Sequence, residues 1–154
     1  TLFPYTTLFR SQSIMAKNAS SNTDLASLVL RLGLGLMMIF GHGLGKLQSL
    51  IGGDVEFVSL FGLPPEVNLT LAMLAEFLAS IFVVIGFKTR LASIPVIITM
   101  VVAAFVVHWQ DALFMMNADG GGSKEFALLY LVGFLAISLL GSGKYSLDYV
   151  IQKR

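Results

Sequence analysis

The stretch Leu69–Phe87, LTLAMLAEFLASIFVVIGF, decides the fold. It is free of charge except for Glu76, near its middle. About 20 mostly apolar residues in a helix cross the hydrocarbon of a bilayer, within a range of about 17 to 25. The run shows no strand alternation, so a membrane helix is the economical reading. An ionisable group inside such a helix is costly unless it has a partner or a task. Glu76 is therefore the first residue to explain.

Working outward, three more segments have similar character. Leu25–Leu44 is apolar but carries Arg31. Leu91–Val107 has Pro95 one turn in, where a helix tolerates proline best. Phe126–Leu140 is short unless its flanks are counted. The fold class that follows is all-α: a polytopic membrane protein whose four transmembrane helices form a bundle over residues 25–151. Composition agrees. The chain of 154 residues is 56% hydrophobic and 12% charged, where a soluble protein is about 25% charged. Its formal net charge of +1 leaves no electrostatic footprint for nucleic acid or acidic substrates. Having no cysteine, it has no thiol catalysis, disulfide relay or thiolate metal site.

The first residues read differently. Thr1–Ser11, TLFPYTTLFRS, matches codon by codon the translation of a common sequencing-adapter oligonucleotide. Residues 1–14 are thus expected to be an artefactual or untranslated leader, with the natural start at Met15. Residues 15–24, rich in Ser and Asn, are expected to be a flexible cytoplasmic tail. The first apolar segment is too long for a signal peptide and lacks a small-x-small cleavage site, so it reads as an anchor.

Orientation comes from Lys and Arg in the short loops. One side carries Lys17, Lys88, Arg90, Lys144, Lys153 and Arg154; the other carries only Lys46 and Lys124. The first set is assigned to the cytoplasm, so both termini lie inside. The longer loops, Lys46 to Asn68 and His108 to Lys124, lie outside, and Gly120, Gly121 and Gly122 mark a turn in the second. The tight turn Lys88–Arg90 makes the second and third helices antiparallel neighbours.

Side chains lean toward the N-terminus of their helix. Glu76 then leans outward from roughly 10 Å below the outer surface, while His42 and His108 lean down from the outer ends of their helices. Glu125 opens the fourth helix on the same side. His42, Glu76, His108 and Glu125 are the candidate ligand-binding or proton-handling residues, converging in the outer half. His42 and Glu76 differ in depth, so their contact calls for a bridging water. Arg31 leans the other way and can snorkel to the inner interface, with Asp148 as its candidate ion-pair partner. Ala72, Ala79 and Ser80 flank Glu76 on its own face, and such small residues mark helix contacts. Glu76 therefore points into the bundle.

Each candidate has a plainer alternative. Glu76 fits a protonated acid bonded to a neighbouring helix as well as it fits a functional carboxylate. The histidines read more simply as interfacial residues, since no HxxxH or ExxH spacing supports a metal. CxxCH, the haem-attachment motif, is absent. Glu125 fits a helix N-terminal charge, Trp109 an aromatic belt, and the pairs Met37–Met38 and Met115–Met116 packing filler.

Several stretches taken in order resemble the DoxX family of small four-helix membrane proteins. They are RLGLGLMMIFGHGLGKL (Arg31 to Leu47), FGLPPE (Phe61 to Glu66), AEFLASIFVVIGFKTRLAS (Ala75 to Ser93), GGSKEFALLYL (Gly121 to Leu131) and GSGKYSLDYVI (Gly141 to Ile151). Arg31, Gly43, Lys46, Pro64, Glu76, Gly86, Arg90, His108, Glu125, Gly141 and Asp148 fit the family pattern. The resemblance implies a multi-pass protein of the bacterial or archaeal cytoplasmic membrane. It further implies a link to membrane redox systems, because the family takes its name from a subunit tied to archaeal quinol oxidation and thiosulphate metabolism. It carries over no catalytic residue. The function expected is an accessory subunit of a quinone-linked electron-transfer system, with quinone the candidate cofactor and haem or metal disfavoured. Its partners would be the bilayer, a membrane redox protein and a second copy of itself, but no nucleic acid. The alternatives are a transporter for protons or a small solute, and a purely structural scaffold.

Overall fold

The computed structural model describes residues 5–114 and 123–153, with side chains from residue 20 onward. The Met115–Met116 pair, the Gly120–Gly122 turn and residues 1–4 of the leader lie outside the described residues. No strand occurs among the described residues. Helix α1 runs from Tyr5–Met38 through a π-helical turn, Ile39–Gly43, into Leu44–Gly52. Helix α2 is Pro65–Ile85, with a π-helical turn at Leu74–Ala79. Helix α3 is Thr89–Val107 and ends in a third such turn, Ala103–Val107. Helix α4 is Lys124–Leu140, and the short α5 is Leu147–Gln152.

Local chemistry sets these boundaries. Gly53 (φ 72°) and Gly86 (φ 72°) adopt the left-handed backbone that closes α1 and α2. Pro65 sits at the first position of α2, where its missing N–H costs nothing. Ser123 caps α4 by accepting from Phe126 N. Two boundaries differ from those expected. α1 continues well beyond Leu44, because nothing in Gly45–Ile51 breaks a helix, so the connecting loop is residues 53–64 and Lys46 is helical. Its backbone is also helical across residues 16–24, where composition suggests a flexible tail.

Among the described residues, three helices are long and apolar enough to cross a membrane: Ser20–Gly52, Pro65–Ile85 and Thr89–Val107. The equally apolar α4 has 17 residues, about 26 Å of helix, at the short end of the spanning range. The four pack in a ring, α1 on α2, α2 on α3, α3 on α4 and α4 on α1. Their shared core is Met38, Ala79, Val83, Val96, Met100, Phe134 and Ile137. Beyond it, toward the Lys46 end, the ring separates into two pairs. Pro65–Met73 packs on the last turns of α1 and Ala103–Val107 on α4, with no comparable packing between the pairs.

Candidate functional site

The separation leaves a cavity of about 380 Å³ at that end. Its polar groups come from all four helices, and all three π turns supply residues to it. A π turn accommodates an extra residue and shifts the side chains that follow, and it is frequent at functional sites. The turn in α1 carries His42 and the one in α2 carries Glu76. They meet at Gly43: a Cβ there would lie 2.7 Å from Phe77 N and 2.8 Å from Glu76 O. That backbone approach lets Lys46, one turn on, reach across. Lys46 Nζ donates to Glu76 Oε2 at 2.5 Å.

Around this pair stand His42, His108, Asn68 and Tyr130. The His42 ring meets Tyr130 edge-on, with centroids 5.3 Å apart and planes at 87°. Tyr130 is 9% exposed, and neither its hydroxyl nor the His42 ring has a hydrogen-bond partner among the described residues. A buried phenol normally finds one. His108 Nδ1 lies 2.7 Å from Asp111 Oδ2 at the end of α3. The remaining walls are mostly apolar, with Leu71 and Ala72 from α2, Ile98, Met100 and Val102 from α3 and Phe126 from α4, and with the hydroxyls of Thr99 and Ser123 among them. Loop 53–64 covers the top with Phe57, Val58, Leu60, Phe61 and Leu63. Asn68 pins this loop by donating to the carbonyls of Leu60 (3.4 Å), Leu63 (3.1 Å) and Pro64 (3.3 Å).

Of the residues chosen from sequence, His42, Glu76 and His108 line this one cavity, whereas Glu125 is exposed on the first turn of α4 and does not. Glu76 is paired directly with Lys46, and no direct hydrogen bond joins it to His42 among the described residues. Lys46 and Tyr130 are the residues that sequence reasoning passed over. The spacing of His42 and Lys46 puts both on one helix face, a signal that was available for the lysine. Nothing marks Tyr130 within its apolar run.

At the other end, Arg31 does not snorkel. It is fully buried and holds carbonyls: Nη2 donates to Tyr145 O at 2.7 Å, and Nη1 to Val84 O at 3.3 Å and Val83 O at 3.4 Å. Val83 and Val84 belong to the last turn of α2, where carbonyls run out of intrahelical partners; Val83 O also accepts from Gly86 N at 3.1 Å. The expected pair with Asp148 is not formed. Asp148 Oδ1 instead accepts from Lys88 N at 2.9 Å, and Asp148 N donates to Gly86 O at 3.0 Å.

Fold and site together define a small multi-pass membrane protein whose helix bundle opens at one end into a polar-floored, apolar-walled cavity. Residues 26–109 match the DoxX family, and the chain belongs to it. No curated protein and no solved structure matches the chain.

Proposed function

We propose that this DoxX-family protein is an accessory subunit of a membrane redox system and that its cavity binds a quinone-type ligand. The observation that carries the reading is the cavity's make-up. Its floor joins a neutralised Lys46–Glu76 pair to two hydrogen-bonding groups without a partner among the described residues, the Tyr130 hydroxyl and the His42 ring. Its walls are mostly aliphatic and aromatic. A flat head with carbonyl oxygens takes a hydrogen bond from the phenol and another from the imidazole, while its hydrocarbon contacts the walls. The volume suits a small headgroup, since ligand pockets run from about 300 to 1,000 Å³.

The excess of basic residues at the far end, Lys88, Arg90, Lys144 and Lys153, supports a cytoplasmic position for both termini. The cavity then faces the opposite side of a bacterial or archaeal cytoplasmic membrane. Permeation is less well supported, because the packed core from Met38 to Phe134 closes the bundle below the cavity.

The test is binding of a short-chain ubiquinone and a menaquinone analogue to the purified protein in nanodiscs, together with a search for redox proteins that co-purify in mild detergent. Binding that weakens about tenfold, or about 1.4 kcal/mol, in Tyr130→Phe and in His42→Leu is expected. No quinone binding and no redox partner would overturn the proposal.

A further inference from the structure

The cavity has a seam that faces lipid. Leu71 on α2 and Ile98 on α3 both line it, yet they are 54% and 57% exposed on the outside of the bundle. Ile98 lies midway along α3 (Thr89–Val107), at the depth of the hydrocarbon rather than of the headgroups. The two helices pack together through Leu74–Ile85 but part at Pro65–Met73. The opposite seam, between α1 and α4, is closed by the His42–Tyr130 ring contact. Toward water the cavity is roofed by loop 53–64, which Asn68 ties down.

We propose that the α2–α3 seam is a lateral portal that seats the apolar tail of a membrane-borne amphiphile while its small polar head rests on the Lys46–Glu76 floor. This rests on the ligand-binding reading of the cavity and adds the class of ligand and its route. A long-tailed molecule already dissolved in the bilayer slides its head inward between Leu71 and Ile98 and leaves its tail in hydrocarbon. No loop has to open, and no charged head has to cross apolar walls. A water-borne ligand would have to displace the aromatic roof. The apolar lips also disfavour a head carrying net charge, since the floor's charges already neutralise one another and would offer it no counterion.

Binding to the full chain in nanodiscs tests this with two probes, a tail-less methoxybenzoquinone and the same head on a long isoprenoid tail. The tailed probe is expected to bind at least about tenfold more tightly, with both affinities referred to concentration in the bilayer, because its tail packs in the seam between Leu71 and Ile98. Leu71→Trp and Ile98→Trp, which fill the seam, are expected to remove that advantage by weakening the tailed probe about tenfold more than the tail-less one. Val132→Trp, exposed to lipid on α4, is expected to change neither. A tailed probe bearing a photoreactive group on its tail is expected to label α2 and α3 peptides containing Leu71 or Ile98. Equal affinity of the two probes, or labelling confined to residues 53–64, would overturn the portal and leave the headgroup site standing. Failure of both probes to bind would overturn the site and the portal together.

Discussion

Lys46 and Glu76, thirty residues apart in sequence, form a single ion pair between the far end of α1 and the π turn of α2, with side chains 20% and 6% exposed. Removing one member leaves a charge in an apolar setting, which costs about 3 to 5 kcal/mol, whereas replacing both with apolar residues is often close to neutral. Lys46→Met and Glu76→Leu are each expected to lower stability by about 3 kcal/mol, and the double variant is expected to recover most of that loss. Denaturant unfolding in detergent gives the cycle. Additive losses would show that the two side chains act independently.

Gly43 is what permits that pair. A Cβ there would run into the backbone of Glu76 and Phe77, which has no room to yield, whereas Gly41 and Gly45 have nothing within 4 Å. Gly43→Ala is expected to separate α1 from α2 and to destabilise the protein by about 2 kcal/mol or more. Gly41→Ala and Gly45→Ala should be neutral or stabilising by up to about 1 kcal/mol through helix propensity. Thermal melts of the three variants side by side decide it. Equal behaviour of all three would mean that the close approach at Gly43 is not required.

Glu76 was legible because apolar length and small neighbours are written directly in the sequence. Ala72, Ala79 and Ser80 on one face are enough to turn the carboxylate inward, and it is buried. Lys46 was not, because counting basic residues by side treats every lysine near a helix end as a loop charge. The π turns defeated the register argument as well. A strict 3.6-residue period places His42 and Glu76 at different depths, while the extra residue at Ile39–Gly43 and Leu74–Ala79 brings their turns together. Arg31 failed for another reason. The rule that long cations reach for water takes no account of carbonyls at the end of a neighbouring helix, whose position depends on the tertiary fold.

Lys144 fastens the segment after α4 to the start of the apolar part of α1. Its Nζ lies 2.8 Å from Asp24 Oδ2, and its backbone N–H donates to Asp24 Oδ1 at 3.2 Å. The hydrogen-bonded carboxylate holds the Lys144 ammonium above its ordinary range. A group whose folded value is raised contributes stability that is fully present below its unfolded value and is lost as pH rises through the folded value. The contact is therefore expected to persist at neutral pH, to fail in alkali as Lys144 loses its proton, and to fail in acid as Asp24, held below its ordinary range by the same hydrogen bond, gains one. Following the Lys144 amine by NMR should show a lower midpoint in Asp24→Asn. An unchanged midpoint would mean that the contact does not persist in solution.

Arg31 closes the opposite end by serving as the missing donor for α2. The guanidinium places a positive charge beside the carbonyls of Val83 and Val84, at the negative end of that helix, and its other arm reaches Tyr145 O. Gly86 completes the arrangement, because a Cβ at that position would collide with Arg31 Nη1 and with Ser146. Arg31→Met is expected to cost about 3 kcal/mol, since the carbonyls lose a charged donor. Arg31→Lys should restore only part of this, because a single ammonium lacks the planar fork that spans two helix carbonyls and Tyr145 together. The loss should also be local. Amide exchange should rise across α5 and the turn before it, where Tyr145 is held, and stay unchanged around Glu76 and Tyr130 at the far end. Uniform acceleration through the bundle would instead make Arg31 part of the global core rather than a clamp on one end.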